Sequence, residues 1–131
     1  MQNKIEKLNS LLDGEIHADR AFRTIYSTDA SIYQQRPLAV AFPKCNEDIA
    51  KLIGFANENS IGLIPRTAGT SLAGQVVGSG IVVDVSRYLT KIIKVDSDAG
   101  TVAVQPGVIR DELNMEPVSY THLTLPTICS V

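Results

Sequence analysis

Two apolar runs separated by one amphipathic helix limit the folds open to this chain more than any other feature of its sequence. Residues 38–42 (LAVAF) and 61–65 (IGLIP) are short, aliphatic and bounded by proline, which is typical of buried strands. Between them, Asn46 can cap a helix that has Glu47 and Asp48 in its first turn. The apolar stripe predicted for that helix comprises Ile49, Leu52, Ile53 and Ala56. This spacing predicts a parallel pair of strands with a right-handed helical crossover.

The rest of the chain predicts further strands around this unit. Residues 81–85 (IVVDV) form a third apolar run, and residues 91–95 and 101–104 are separated by a polar turn, as in an antiparallel hairpin. One helix is predicted over residues 4–12, and another begins within 108–113. The fold class that these elements predict is α+β.

Composition and charge exclude several classes of protein. A chain of 131 residues, 44% hydrophobic and 20% charged, has room for one ordinary globular domain. A net charge of -2 argues against a nucleic-acid-binding surface, and no apolar run approaches the ~20 residues of a membrane span. The charged start MQNKIEKLNS lacks the apolar region of a secretory signal, and two cysteines do not make a disulfide scaffold. These features predict a cytoplasmic protein that has no membrane span and no nucleic-acid partner.

A glycine-rich loop directly follows the second predicted strand. Residues 66–75 read RTAGTSLAGQ, where Gly69 and Gly74 permit positive φ, and the hydroxyl groups of Thr70 and Ser71 are possible donors to an anion. A Walker A loop would need Lys-Ser/Thr after its second glycine, and a Rossmann loop would open a helix; this loop does neither. By spacing alone it is either a weak phosphate-binding signal or a glycine-rich surface connection.

The order of these features resembles one flavoprotein family. From residue 24 to residue 114 the chain resembles the first part of the FAD-binding domain of the FAD-linked oxidases, the vanillyl-alcohol-oxidase-type superfamily, in its branch of D-lactate dehydrogenase and glycolate oxidase subunits. The features that make up the resemblance are the lead-in YSTDAS, the loop Arg-x-x-Gly-Thr-Ser-x-x-Gly, the strand IVVDVSR and the VQPGV that follows the hairpin. The resemblance implies the first subdomain of a PCMH-type FAD-binding domain, truncated, with a βαβ pair followed by strands and a hairpin.

The resemblance also implies a set of cofactor-binding residues. In that family the loop wraps the FAD pyrophosphate, and the Pro-Gly after the hairpin lies by the cofactor. Many members have Gly-Gly-Gly where this chain has Thr67-Ala68-Gly69, a departure that fits if φ is negative at the first two positions. Members that attach flavin covalently through the loop have His where Thr70 stands, which implies non-covalent FAD here. The implied contacts are Arg66, Thr67, Ala68, Gly69, Thr70, Ser71, Gly74, Pro106 and Gly107.

The last residues are of a different kind. Residues 118–127, VSYTHLTLPT, resemble one translated frame of a sequencing adapter derived from a transposon end. We therefore expect a helical lead-in over 1–23, a partial FAD-binding domain over 24–116 and a non-native tail over 117–131.

Several other polar residues call for an interpretation. The alternating Asp13, Glu15, His17 and Asp19 predict a solvated loop rather than a metal site, so no metal ligand is assigned. Cys45 precedes a helix N-terminus, which can lower a thiol pKa, but without a neighbouring base we expect a passive thiol. Asp84 is expected to cap the turn at Ser86 and Arg87 rather than to face the cofactor. No role is assigned to Asp29.

The resemblance implies a fragment of an FAD-linked oxidoreductase whose parent oxidises a D-2-hydroxy acid such as lactate or glycolate. Alternatives are another flavoenzyme on the same domain, such as an enolpyruvyl reductase or the FAD subunit of a molybdenum hydroxylase, and a non-catalytic nucleotide- or anion-binding module. An iron–sulfur electron acceptor, fused or separate, is possible in the parent. No catalytic residue is assigned, and we expect the fragment to be inactive alone and to bind FAD weakly or not at all. We also expect exposed apolar surface and self-association.

Overall fold

The computed structural model describes residues 1–115 and contains four helices and six strands in that range. In chain order they are α1 (Gln2–Asn9), β1 (Glu15–His17), α2 (Arg20–Ile25), β2 (Ala39–Phe42), α3 (Asn46–Glu58), β3 (Leu63–Arg66), β4 (Ile81–Asp84), β5 (Ile92–Asp96), β6 (Thr101–Val104) and α4 (Arg110–Met115). The predicted non-native tail lies outside the described residues. None of the helices within residues 1–115 is long and apolar enough to cross a membrane.

Four of the strands form one sheet in the order β1-β2-β4-β3. Strands β2 and β3 both pair with β4 in parallel, and β1 pairs with β2 antiparallel at one edge. The predicted strands 38–42 and 61–65 are therefore parallel, but the prediction that they form a pair is wrong because β4 lies between them. All four residues of β4 are buried, and so are all four of β2, whereas β3 is partly exposed. The most apolar strands occupy the centre because both of their faces are covered.

Each face of this sheet has its own apolar cluster. On one face, α1 and α3 pack against alternate residues of the central strands, and Leu52 is fully buried there. On the other face, Val40, Phe42 and Val82 contact the rings of Phe22, Tyr26, and Tyr88. The mixed α+β class predicted from the sequence is confirmed, with apolar side chains packed against both faces of the sheet.

Helix α3 departs from its prediction in two ways. The residue at the N-cap is Cys45, which makes no side-chain capping bond, and Asn46 is already the first helical residue. The predicted stripe is also too wide, because the Ile53 side chain is 54% exposed while Leu52 and Ala56 are buried. Ile53 directly follows Leu52, so it lies about 100° further round the helix and faces away from the sheet.

The Asp48 side chain, in the first turn of α3, binds backbone N–H groups of segments outside the helix. Its carboxylate is buried and accepts from the backbone N–H groups of Asp13 (2.9 Å), Gly14 (2.9 Å) and Lys44 (3.0 Å). These bonds tie the start of α3 to the turn before β1 and to the end of β2. Burial alone would raise the pKa of Asp48, but the three N–H donors, with a contribution from Lys51, hold that pKa below its usual value.

The lowered pKa of Asp48 predicts acid sensitivity. A carboxyl group whose pKa is lower in the folded state stabilises the fold above its unfolded pKa of about 3.9, and this stability is lost as the pH falls through the folded pKa. The pKa of Glu15 is lowered too, chiefly by its hydrogen bond from Tyr88 and also by His17. We expect the free energy of unfolding, measured with urea, to fall as the pH drops from about 5 to 3. Asp48→Asn should make this decline shallower; an unchanged slope would contradict the assignment.

The alternating polar residues 13–19 were expected to form a solvated loop, but Glu15–His17 form strand β1, and helix α2 follows at Arg20. Strand β1 has a single buried residue, Ile16, between two polar ones, so its sequence contains too little alternation to predict a strand. Helix α2 is only 6 residues long and is capped by the Asp19 carboxylate, which accepts from the N–H groups of Ala21 (3.0 Å) and Phe22 (3.2 Å).

The predicted hairpin is confirmed as β5 and β6, antiparallel, with an irregularity in register between Ile92 and Lys94. It forms a separate two-stranded sheet. Large apolar side chains remain exposed on and beside it: Ile93 is 67% exposed, Val95 42% and Ile109 56%.

This exposed apolar surface leads to a prediction about association. Contiguous apolar surface favours contact between molecules, so we expect the chain to elute from a size-exclusion column above its monomer mass at high concentration. Replacing Ile93 with Lys and Val95 with Thr should return it toward the monomer. A matched change at Ile32, which is 95% exposed and lies away from the hairpin, should not. A wild-type chain that elutes as a monomer at every concentration would contradict this expectation.

Candidate functional site

The glycine-rich loop leaves the sheet at the carboxyl ends of its parallel strands. Strand β3 ends at Arg66, which lies beside Asp84 at the end of β4. The N–H of Val85 donates to the Arg66 carbonyl at 3.0 Å, so the segments that follow the two strands begin side by side. Ligands of open α/β sheets bind outside this edge, which makes residues 67–80 the candidate site.

The second half of the loop is closed by one hydroxyl group. Ser71 Oγ accepts from the N–H groups of Ala73 (3.3 Å) and Gln75 (3.1 Å) and donates to Gln75 Oε1 (3.1 Å). Gly74 lies inside this turn with a φ of +72°, in the left-handed region that favours glycine. The turn leaves the first half of the loop to present its backbone outward.

The first half of the loop presents unpaired backbone donors. Within residues 1–115, none of the six N–H groups of residues 67–72 donates to a protein acceptor. Gly69 has a φ of +68°. Thr67 and Ala68 do not have positive φ, which is the condition under which these residues can replace the glycines of the family loop. Consecutive free N–H groups around a left-handed residue are typical of a backbone anion site.

Arg66 lies under this part of the loop. Its Nη1 donates to the Thr28 carbonyl at 2.7 Å, and its guanidinium carbon is 5.0 Å from the centre of the Tyr26 ring. A Cβ on Gly69 would overlap the Arg66 guanidinium. Gly69 is therefore required both by its backbone conformation and by the approach of a positive charge to the loop.

The segment before β2, expected to be irregular, holds the loop in place. The N–H of Ala30 donates to the Gly69 carbonyl at 3.1 Å. The ring of Tyr33 lies so close to Gly74 that a Cβ there would come within 2.7 Å of it. A cleft of about 270 Å³ separates the two segments, lined by Tyr33, Gln34, Gln35, Ala73, Gly74 and Val77. This contact was not predicted from the sequence: the YSTDAS string contains Ala30, but Tyr33, Gln34 and Gln35 follow it.

Asp84 has the structural role expected of it. Its Oδ1 accepts from the N–H (2.9 Å) and the hydroxyl (2.6 Å) of Ser86, and its Oδ2 accepts from the Tyr26 hydroxyl at 2.6 Å. Burial and the bond to Asp84 raise the pKa of Tyr26 far above its usual value, so the phenol remains a donor at every physiological pH. Because both of its oxygens accept hydrogen bonds, Asp84 joins the turn after β4 to the YSTDAS segment, which begins at Tyr26.

The Pro106-Gly107 pair lies against the same turn. The N–H of Gly107 donates to the Leu89 carbonyl at 2.8 Å, and a Cβ on Gly107 would come within 2.6 Å of the Val85 carbonyl oxygen. Pro106 itself is exposed. The atoms nearest to Gly107 belong to residues 85–89 and not to the loop, so close packing alone accounts for this glycine.

The remaining polar candidates have structural partners. Glu15 contacts His17, Arg87 and Tyr88, and the Asp19 carboxylate caps α2. Donor atoms of Asp13, Cys45 and Asp48 do lie within 4.8 Å of one another, but the Asp48 oxygens are occupied by backbone N–H groups.

The Asp48 N–H lowers the pKa of Cys45, yet burial and the Glu47 and Asp48 carboxylates outweigh it and raise that pKa. This agrees with a passive thiol.

Solved structures of the same fold define the class of protein. An alkyldihydroxyacetonephosphate synthase superposes with a TM-score of 0.78 at 17% identity, covering 91% of this chain and 25% of that one. A p-cresol methylhydroxylase with substrate bound gives 0.76 at 18% identity, covering 90% and 24%. These likenesses show that the chain has the fold of one part of a PCMH-type FAD-binding domain.

The family assignment follows from the sequence match. Residues 37–126 match the family model described as the FAD binding domain, and the chain belongs to this family. The cofactor of the family is FAD, and the loop described above fits it, since six free N–H groups and one guanidinium are donors suited to a diphosphate.

Curated relatives narrow the branch. The chain is 41% identical to a D-2-hydroxyglutarate dehydrogenase of Pseudomonas putida, over 81% of the chain and 11% of the relative. It is 38% identical to a mitochondrial D-lactate dehydrogenase [cytochrome] of Kluyveromyces lactis, over 78% and 18%. It is 34% identical to a glycolate oxidase subunit of Bacillus subtilis, over 68% and 19%. The chain thus spans between about a tenth and a fifth of the length of these relatives.

Proposed function

We propose that this chain binds the diphosphate of FAD, non-covalently, through the loop at the carboxyl end of β3. The observation that supports this most strongly is the run of six unpaired backbone N–H groups over residues 67–72, around the left-handed Gly69. Such donors match the charge of a diphosphate once water is displaced. The Thr70 side chain has no nitrogen with which to form a covalent bond to flavin, which supports non-covalent attachment.

The proposal assigns each loop residue a part. Arg66 supplies positive charge from beneath the loop, and Ser71 and Gly74 maintain the turn that leaves the first half open. Pro106 and Gly107 lie by the cofactor in this proposal, at the turn that shares the carboxyl edge of the sheet. The backbone donors belong to Thr67, Ala68, Gly69, Thr70 and Ser71.

We propose further that the parent enzyme oxidises a D-2-hydroxy acid. The support is the three relatives, whose names refer to D-2-hydroxyglutarate, D-lactate and glycolate. Bound FAD would supply the acceptor for a hydride equivalent, while the protein positions cofactor and substrate. The proposal includes an iron–sulfur electron acceptor, fused or separate, and the cytoplasm as the location of the parent.

The domain boundaries are also a proposal. We propose a lead-in over 1–23, a partial FAD-binding domain over 24–116 and a non-native tail over 117–131. The helix and strand within 1–23 pack on the same sheet as the rest, since Ile5, Leu8 and Ile16 belong to its apolar cluster.

The parent activity is tested on the complete protein encoded by the source gene. After purification with FAD, we expect a flavin absorbance spectrum that D-lactate, glycolate or D-2-hydroxyglutarate bleaches without oxygen, and flavin released by acid precipitation. Return of the oxidised flavin spectrum when an enolpyruvyl substrate is added to the chemically reduced protein, or bleaching of the oxidised flavin by a nitrogen heterocycle, would favour the alternative flavoenzymes. A flavin-free complete protein would favour the non-catalytic module.

A further inference from the structure

One carboxylate beside the loop lacks a hydrogen bond that its burial calls for. Asp29 Oδ1 accepts from the Ser31 N–H at 2.8 Å, but Asp29 Oδ2 is buried and has no partner among the described residues. A buried carboxylate oxygen without a donor is unfavourable, and native structures rarely retain one. The arrangement therefore requires a donor that comes from nearby.

The donors that act on Asp29 belong to its own turn and to the glycine-rich loop. The Ser31 hydroxyl and N–H, the Ser71 hydroxyl and the Val76 N–H hold the pKa of Asp29 below its usual value, although desolvation opposes them. Neither Ser71 nor Val76 forms a hydrogen bond to Oδ2 in this conformation. The lowered pKa favours the ionised carboxylate, and the bond from the neighbouring Ala30 N–H to the Gly69 carbonyl, at 3.1 Å, holds this turn against the loop.

The Ser71 hydroxyl has one proton, which it can donate either to Gln75 Oε1 or to Asp29 Oδ2. It now donates to the side-chain oxygen of Gln75 at 3.1 Å, while its own oxygen closes the turn. An ionised carboxylate is a stronger acceptor than an amide oxygen. Because Oδ2 is buried, Asp29 acts on the loop and not on a ligand outside it.

We propose that Asp29 is a positioning residue for the glycine-rich loop, with Oδ2 as the acceptor onto which the Ser71 hydroxyl and the Val76 N–H close to fix the free N–H groups of residues 67–72. This inference rests on the proposed function for its purpose, since those N–H groups are the proposed diphosphate donors. The proposed contacts of Asp29 lie within the chain and do not depend on a bound ligand.

Amide hydrogen exchange of the ligand-free chain tests this directly. Three reporters are the N–H groups of Ala30, Gln75 and Val77, which are bonded to Gly69, Ser71 and Gly74. We expect Asp29→Ala and Ser71→Ala each to speed exchange at these reporters at least fivefold, with no change at Leu52 in α3. The double variant should exchange no faster than Ser71→Ala alone, because Ser71→Ala removes the proposed Asp29 contact together with the bonds from the Ala73 and Gln75 N–H groups. Asp29→Asn, which keeps the shape, is the second variant if Asp29→Ala does not fold.

Three outcomes would overturn the proposal: unchanged exchange at the reporters, an equal increase throughout the chain, or additive effects in the double variant. Asp98→Ala in the exposed hairpin turn is the matched control and should change nothing near the loop. Titration with inorganic pyrophosphate separates this inference from the proposed function. If wild-type chain shows no pyrophosphate response but the exchange results hold, the proposed function fails and the role of Asp29 stands.

Discussion

Replacing Asp48 with alanine is expected to lower the free energy of unfolding by about 3 kcal/mol, because hydrogen bonds to a buried charged group contribute ~1.5–3 kcal/mol each and part of the loss is recovered by hydration. The change leaves the N–H groups of Asp13, Gly14 and Lys44 without an acceptor. It also removes a negative charge from the first turn of α3, where the helix dipole favours one. Urea unfolding followed by far-UV circular dichroism measures the effect.

The matched control is Asp48→Asn, which keeps the shape and one accepting oxygen. We expect it to cost roughly half as much as Asp48→Ala, since one carbonyl oxygen can still serve one or two of the donors. Glu47→Ala changes an exposed acidic residue in the same helical turn and should have little effect. Equal stability of Asp48→Ala and Glu47→Ala would show that the buried carboxylate does not hold these segments together.

Replacing Gly69 with alanine is expected to weaken pyrophosphate and FAD binding at least tenfold. A left-handed conformation costs a non-glycine residue about 1–2 kcal/mol, so we expect the free loop of this variant to leave the conformation that binds the ligand. Restoring that conformation on binding lowers the affinity, and about 1.4 kcal/mol is a factor of ten. The new Cβ would also displace the Arg66 guanidinium from beneath the loop. Titration monitored by nuclear magnetic resonance measures affinities in the weak range expected for a chain of this length.

Gly100 provides the control for Gly69. It has a similar φ of +62° in the hairpin turn, but nothing lies within 4 Å of a Cβ built there. Gly100→Ala should therefore cost a comparable amount of stability and leave ligand affinity unchanged. If the two variants bind pyrophosphate equally well, Gly69 is a turn residue without a part in binding.

The sequence was sufficient to predict the elements whose side chains alternate or repeat clearly. Strands β2, β4, β5 and β6 lie within a residue or two of their predicted limits, because each is a run of Val, Ile or Ala between turn residues. The loop at the end of β3 was also correctly placed. Its glycines have the positive φ that their residue type permits.

Tertiary pairing was harder to predict than the elements themselves. Nothing in residues 38–42 or 61–65 indicates that β4 lies between them. Strand β4 is central because all four of its residues are buried, so both of its faces are covered. Strand β1 was missed because Ile16 is its only buried residue. The acidic Asp48 was recognised as favourable at a helix start, but its burial depends on backbone donors that lie about 35 residues away in the chain.

The site shows the same limit. The loop residues could be named from the resemblance. The structural role of the YSTDAS segment, which supports the loop, could not be predicted from its local sequence pattern. The contact between Thr28 and Arg66 spans 38 residues, and that between Tyr26 and Asp84 spans 58. Short polar segments of this kind acquire their structure from the partner they meet.

The central claim is that residues 66–74 bind a diphosphate of FAD. The most direct test is a ¹⁵N–¹H spectrum of the labelled chain titrated with FAD, with inorganic pyrophosphate and with riboflavin, which has the flavin ring but no phosphate. We expect millimolar FAD and millimolar pyrophosphate to shift the N–H signals of residues 67–71 and 74, and riboflavin to leave those signals unchanged. Equal shifts with riboflavin, shifts confined to other segments, or no shifts with FAD would contradict it.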